Sequence, residues 1–401
     1  MGQALEGLRV VDFTHNQAGP SCTQMLAWLG ADVVKIERPQ GGDEVRANVG
    51  GSAEASSPFF LLLNGNKRSL TLNMRSKKGQ DICKEIIKHS DIVVENYGPG
   101  VMERFGLGWD ILKELNSRLI FATIKGFGTW GPYSDYKCFE TIAQATSGAM
   151  SMTGFPENPP TISAPNVGDT GTGMHMLVGI LAALQQRGNT GKGQKVEVAM
   201  QEAVLNLLRV KFTGQYVTGQ AGVRPGNISV GNSLGGTYPC KGDGPNDHVY
   251  INLSRSSPSM WEGLLKTIGR EDLLSDENLA DPAYRLEHRD EVVALITGWT
   301  LQHDKIEVMH RMCANGTPCG ATLDSLEVMA DPHLRARGMI TTVDQHNWGP
   351  MDMIGCPIQW EDSPVEITAA PTLGQHTEEI LAQFLDYDSA QVEQLRTEGV
   401  I

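Results

Sequence analysis

One aspartate stands where a carboxylate can do more than help fold the chain. Asp169 lies in Asn166-Val-Gly-Asp-Thr-Gly-Thr-Gly173, between glycines and just ahead of an apolar run. At a helix start it would accept backbone N–H bonds, the ordinary role of Asp in that position. The glycines open a second reading, because they let another group approach the carboxylate closely, and a carboxylate can attack an activated acyl group. His15 and Gln17 share the segment His15-Asn-Gln-Ala-Gly-Pro20. A Gln amide there can donate to an oxyanion, whereas His15 equally suits a structural hydrogen bond. Arg38, Arg46, Lys67, Arg68, Arg75, Lys77 and Lys78 cluster in sequence. They suit phosphate groups, or simply a solvated surface. Gly235-Gly236, after Gly231-Asn-Ser-Leu234, reads as a mobile cover over a reactive centre or as an ordinary turn.

These residues must be held by something, and the rest of the chain predicts a parallel-sheet α/β protein. Strands are expected at 8–14, 32–37, 69–73, 91–95 and 119–124, with helices at 21–29, 77–89 and 109–115 between them. Short strands alternating with helices imply a parallel sheet covered on both faces. Ligands in such sheets sit beyond the carboxyl ends of the strands, which selects the loops 15–20, 38–46 and 96–100. The first loop reads HNQAGP rather than GxGxxG, so a dinucleotide enzyme is disfavoured. Further helices are expected at 138–148, 170–187 and 200–210, with a turn and strand over 191–199. The glycines at 171, 173 and 179 would weaken an isolated helix, so they predict close packing against another backbone. Residues 214–244 read as linker plus functional loop, 248–335 as a smaller domain of helices and short strands, 336–370 as extended and irregular, and 377–394 as one polar helix.

Composition narrows the partners. The formal charge of −14 over 401 residues argues against a nucleic-acid binder, since nothing offsets repulsion from phosphates. Seven scattered cysteines without a CxxC pair read as reduced, buried thiols, with no structural metal site expected. The nearly apolar run from Met174 to Leu184 is far shorter than the ~18 residues a membrane span needs. The start of the chain carries neither a basic nor a long apolar run, so a cytoplasmic protein is expected.

Taken in order, several segments resemble the class III CoA-transferases (the CaiB/BaiF type), most closely their formyl-CoA transferase branch. They are Gly7-Leu-Arg-Val-Val-Asp-Phe-Thr-His-Asn-Gln-Ala-Gly-Pro20, Gly30-Ala-Asp-Val-Val-Lys-Ile-Glu37, Asn66-Lys-Arg-Ser69, Val94-Glu-Asn-Tyr-Gly-Pro-Gly100, Gly168-Asp169, Thr190-Gly-Lys-Gly-Gln194 and Gly316-Thr-Pro-Cys-Gly320. Met174-His175 and Ala199-Met-Gln-Glu-Ala-Val-Leu-Asn-Leu207 extend the match to that branch.

The resemblance implies a large Rossmann-like α/β domain over 1–210, completed by 371–401. A linker with a glycine loop (211–246), a small α+β domain (247–335) and a return linker (336–370) would close each subunit into a ring. Two rings would interlock as a homodimer. The resemblance also implies CoA transfer from formyl-CoA or succinyl-CoA to a small carboxylic acid, oxalate favoured, with a CoA thioester as substrate and no cofactor or metal. Asp169 would be the nucleophile, with Gln17, Glu140, Gly235 and Gly236 around it. His15, Ala18, Arg38, Arg75, Asn96, Tyr97, Arg104, Lys137 and Phe139 would contact CoA or the acid. Departures from the branch are a shortened glycine run at Ser233-Leu-Gly-Gly-Thr237, Phe139 in place of Tyr, and Arg75 in place of Lys; the first two leave the acceptor open. Two alternatives stand beside this one: an acyl-CoA racemase, disfavoured because Cys138-Phe-Glu-Thr-Ile142 lacks a His, and a non-catalytic CoA-binding protein.

Overall fold

The computed structural model describes residues 2–52, 55–227, 234–254 and 256–401. The chain divides into two compact units. The first comprises Met1–Met150, Ile162–Gln220 and His333–Ile401; the second comprises Ser151–Thr161 and Ala221–Pro332.

The first unit is built on six parallel strands: β1 Arg9–Asp12, β2 Asp32–Glu37, β3 Arg68–Thr71, β4 Ile92–Glu95, β5 Ile120–Lys125 and β6 Lys195–Ala199. Their order is β3-β2-β1-β4-β5-β6, that of the Rossmann sheet. Alternate residues feed opposite layers, as the two-residue period of a strand requires. Val10, Val33, Ile92, Val94, Ile120 and Ala122 pack under the helices Ala18–Trp28 and Thr170–Thr190. Val11, Val34, Val93 and Phe121 pack under the helix Lys77–Lys88 and the C-terminal residues Ile380, Leu381, Val392 and Leu395. Each fully buried Leu, Ile or Val contributes about 1.5–3 kcal/mol, so these two layers hold the strand ends in place.

The glycine-rich helix packs as its composition predicts. A Cβ at Gly173 would fall 2.6 Å from the Ala18 carbonyl oxygen and 2.9 Å from Ser21 Cβ. Only glycine admits this approach, and it brings the start of the helix Thr170–Thr190 against the start of Ala18–Trp28. The latter begins at Ala18, three residues before the expected start at 21.

Three local expectations change. Residues 340–354 form an antiparallel hairpin, Ile340–Gln345 with Gly349–Ile354, turning through left-handed Asn347; Val343 and Met353 pack with Val45, Phe60 and Leu61. The tail is two helices, Thr377–Leu385 and Ser389–Thr397, separated by left-handed Asp386 and a capping box on Asp388. Cys313 is exposed, and Cys138 and Cys319 are half-buried, so not every thiol is a core residue.

The second unit carries three antiparallel strands, Gly236–Pro239, His248–Ile251 and Cys319–Ala321. Its core joins Tyr238, Val249 and Ile251 to Trp261, Leu264, Ile296, Val308 and Met312.

Candidate functional site

In a sheet of this order the crevice opens between β1 and β4, where the chain turns outward in opposite directions. The loops that leave these two strands meet there. Asn96 clasps the His15 backbone, accepting from its N–H at 2.8 Å and donating to its carbonyl at 2.9 Å. The Tyr97 hydroxyl lies 2.9 Å from His15 Nε2. Asn16 takes φ +59°, a left-handed conformation that Asn tolerates better than most residues. It turns the chain so that Gln17 points across to the Asp169 segment.

Gln17 is held from both sides of its amide. Its Nε2 donates to Thr170 Oγ1 at 2.8 Å, and its Oε1 accepts from Asn166 Nδ2 at 2.7 Å. A primary amide has two N–H donors, and Thr170 takes one of them.

Asp169 does not cap its helix. Its backbone is already helical (φ −84°, ψ −68°), and its side chain makes no capping bond. Glu140 supplies acceptors to this turn instead, taking the N–H of Gly168 at 3.0 Å and that of Asp169 at 2.5 Å. Gln144 steadies Glu140 from the next helical turn, donating to it at 2.6 Å. The Asp169 carboxylate is thus released from the backbone and set beside a second acid. Burial, and then the neighbouring Glu140 charge, push its pKa from 3.8 up to about 7. Such a shift in a cleft makes Asp169 a candidate functional carboxylate. The Cys138 thiol is pushed up to about 11, by burial first and then by Asp169 and Glu140, so it is protonated near neutrality.

Asp169 opens on a cavity of about 440 Å³, lined also by Gln17, Ala18, Asn96, Lys137, Phe139 and Glu140. A second cavity, of about 660 Å³, is lined by His15, Arg38, Arg75, Tyr97 and Phe105. The two share Asn16, Asn96, Tyr97 and Gly98, so they form one cleft within the first unit. A carboxylate sits at one end and two exposed arginines at the other.

A match to known proteins agrees with this arrangement. Residues 5–377 match the model of "CoA-transferase family III". The chain belongs to this family. It is 44% identical to the formyl-CoA:oxalate CoA-transferase of Streptomyces coelicolor, over 100% of this chain and 99% of that protein. It is 41% identical to the protein of the same name from Rhodopseudomonas palustris strain BisA53, over 100% of this chain and 98% of that one. Among solved structures, a CaiB/BaiF family protein from Brucella suis superposes with a TM-score of 0.85 at 28% identity, covering 96% of this chain and all of that one.

For this CoA-transferase family member the structure gathers Asp169, Glu140, Gln17, Ala18, His15, Asn96, Tyr97, Arg38, Arg75, Lys137 and Phe139 along one cleft. Arg104 is not brought to it; its exposed side chain lies beside Gly100, and the next residue, Phe105, lines the wall. Gly235 and Gly236 belong to the second unit, where both are buried and Gly236 opens a strand paired with Ile251. Gly235 precedes that strand, and the strand position of Gly236 does not suit a mobile cover. Gly231 and Ser233 of the same loop lie outside the described residues.

The basic cluster splits. Arg46 pairs with Glu37 at 2.7 Å, Lys67 with Asp12 at 3.1 Å and Arg68 with Asp32 at 2.6 Å. Lys77 pairs with Asp81, and Lys78 with Glu398. Arg46 and Lys67 are committed to buried pairs and Arg68 to a part-buried one, whereas Lys77 and Lys78 pair at the exposed surface; of the seven, Arg38 and Arg75 line the cleft. Four contributors escaped the sequence reading. Asn166 and Thr170 flank Asp169 within its own motif. Phe59 lines the Asp169 cavity from a helix, Pro58–Asn64, whose Ser-Pro start was the available signal. Asp43 lies on the loop 38–46 that the sheet topology selects, but only its charge set it apart within that loop.

Proposed function

We propose that the protein is an acyl-CoA:carboxylate CoA-transferase, with Asp169 as nucleophile and formyl-CoA and oxalate as the leading donor and acceptor. The observation that carries this reading is Asp169 itself: a carboxylate without a capping bond, held beside Glu140, at one end of a cleft whose other end bears Arg38 and Arg75. The names of the full-length relatives support the substrate pair.

A carboxylate oxygen of Asp169 attacks the thioester carbonyl. The C–S bond breaks, and CoA leaves as a thiolate from a mixed anhydride. The thiolate then attacks the Asp169 carboxyl carbon and expels the donor acid, leaving an aspartyl-CoA thioester. An acceptor carboxylate attacks that thioester, and the steps run in reverse to give the new acyl-CoA. The second N–H of Gln17 suits the oxyanion formed in these attacks. Water must be kept out, because hydrolysis of either intermediate would discard the thioester energy. The arginines hold the phosphates of CoA, with Asn96 and Tyr97 at the bend between the two cavities. CoA enters and leaves as a substrate, and no cofactor or metal takes part.

Two copies are proposed to interlock as a homodimer in the cytoplasm. Exposed apolar side chains at Val178, Leu205, Leu207, Val210 and Tyr216 support a covered face. A sedimentation mass near twice 43.6 kDa is the expected result. The deciding experiment incubates the protein with formyl-, succinyl- or acetyl-CoA against small acids and separates the acyl-CoAs. Oxalyl-CoA formed from formyl-CoA, and absent with Asp169→Ala, is expected. No exchange with any pair would overturn the reading.

A further inference from the structure

The loop that presents Gln17 rests on buried charges that none of the chemistry above uses. Asp12, Lys35, Glu37, Asp43, Arg46 and Lys67 are all buried, and their formal charges cancel. Asp12 holds Lys67 at 3.1 Å and accepts from Thr14 N at 2.8 Å. Lys35 donates to the Thr14 carbonyl at 2.6 Å and pairs with Asp43 at 3.0 Å. Glu37 grips Arg46 through two bonds, at 2.8 and 2.7 Å, and accepts from Asp43 N at 3.0 Å.

Asp43 is where this network meets the loop. Its Oδ1 accepts from Asn16 N at 3.4 Å and lies 3.6 Å from His15 Nδ1, while Oδ2 faces Lys35. Asn16 is the left-handed residue that aims Gln17. A buried ion pair adds little stability over an apolar filling of the same volume. What it supplies is a fixed direction at each atom, and here that direction ends on the backbone next to Gln17.

We propose that Asp43 is a positioning residue for the nucleophile's surroundings: anchored by Lys35, it holds the left-handed turn at Asn16 and so keeps Gln17 against Thr170, beside Asp169. This rests on the transferase reading for its catalytic consequence, but the held loop is a property of the fold. It also divides the labour around His15. Asn96 fixes the backbone of that residue, Tyr97 meets its Nε2 and Asp43 faces its Nδ1, so the imidazole lies between the loop after β4 and the loop after β2.

The test uses Asp43→Ala, which removes the acceptor of the Asn16 N–H. Should that variant not fold, the paired replacement Asp43→Leu with Lys35→Met removes both charges together. Backbone amide exchange of Asn16 is expected to quicken about ten-fold, the effect of one ordinary hydrogen bond. The amide of His15, held by Asn96, serves as the control and should keep its rate. In thioester exchange, kcat should fall about ten-fold with the KM for acyl-CoA within about two-fold. In a Gln17→Ala background the same change should cost nothing further, because Asp43 would act through Gln17. An unchanged Asn16 exchange rate, or a full additional loss in the Gln17→Ala background, would overturn the proposal. If the wild-type protein transfers no CoA, the transferase reading fails, and the amide rates still decide whether Asp43 holds the turn.

Discussion

Glu140→Gln separates the two causes that raise the Asp169 pKa. Burial is the larger and the Glu140 charge the smaller, and together they carry the group from 3.8 to about 7. Glu140 therefore accounts for less than half of the rise. Removing its charge while keeping its volume should lower the midpoint, but to no lower than about 5.4. In the proposed mechanism Asp169 attacks as the anion, so activity should follow its ionised fraction. At pH 6 a group of pKa 7 is about 9% ionised, and one of pKa 5.4 about 80%. Relative to its own alkaline plateau, the variant should thus retain up to nine times more activity at pH 6.

The assay is kcat/KM for acyl-CoA across about pH 4.5 to 9, since this ratio reports groups of the free enzyme. The plateau itself should drop, by about ten-fold, because Glu140 also accepts from Gly168 N and Asp169 N and a charged acceptor is worth more than a neutral one. Normalising each profile to its plateau separates the two effects. A midpoint that stays put or moves upward would refute the reasoning, since neither agrees with a like charge beside the nucleophile.

Other variants probe the remaining parts. Asp169→Asn should abolish exchange while leaving CoA affinity within a few-fold by titration calorimetry. It should also stabilise the protein: the folded state keeps the Asp169 proton up to about pH 7 and the unfolded chain only to 3.8. Wild-type stability therefore falls as pH rises between those values and stays lowered above them. The variant should melt higher than wild type at pH 8 and alike at pH 4. Arg38→Ala should raise the KM for acyl-CoA at least several-fold more than that for the acid, whereas Arg104→Ala, outside the cleft, should change both little; steady-state kinetics decides. Gly173→Val should cost about 1–3 kcal/mol or more in urea unfolding, since its Cβ meets the Ala18 carbonyl, and should lower exchange by moving the Gln17 turn.

The sheet was legible because its central strands are short, continuous apolar runs, such as Ile92-Val-Val94, which only a two-sided parallel sheet buries. The loops at the crevice followed from that sheet by topology alone, and Gly173 announced the close helix contact. What stayed hidden was pairing. Arg46 and Lys67 look like surface cations, yet each is buried against an acid from another strand or loop, with sequence separations of 9 and 55 residues. Asp169 looked like a cap because the residue type and position suit one; only the backbone N–H groups taken by Glu140, 29 residues away, show that it is not. The hairpin over 340–354 is not legible in the sequence because its turn depends on a left-handed Asn347 rather than on an Asn-Gly pair.

The same residues that give the site its chemistry make it costly to fold. A half-buried carboxylate sits beside a like charge, Asn16 takes a positive φ, and glycines weaken the helix that starts at Thr170. Each feature is unfavourable by itself, of order 1 kcal/mol or more. They persist because they lie where two well-packed layers meet at the sheet's crevice, over a charge network that fixes the connecting loop. Such expense is expected where function opposes stability. It also explains why the charges are internal rather than facing the substrate. In the proposed reaction a thioester carbonyl, and then an acid, must meet Asp169 or its acyl form within about 3 Å and without water. A loop tied by Lys35 and Asp43 from below can hold Gln17 to that tolerance while leaving the cleft above it open to both substrates in turn.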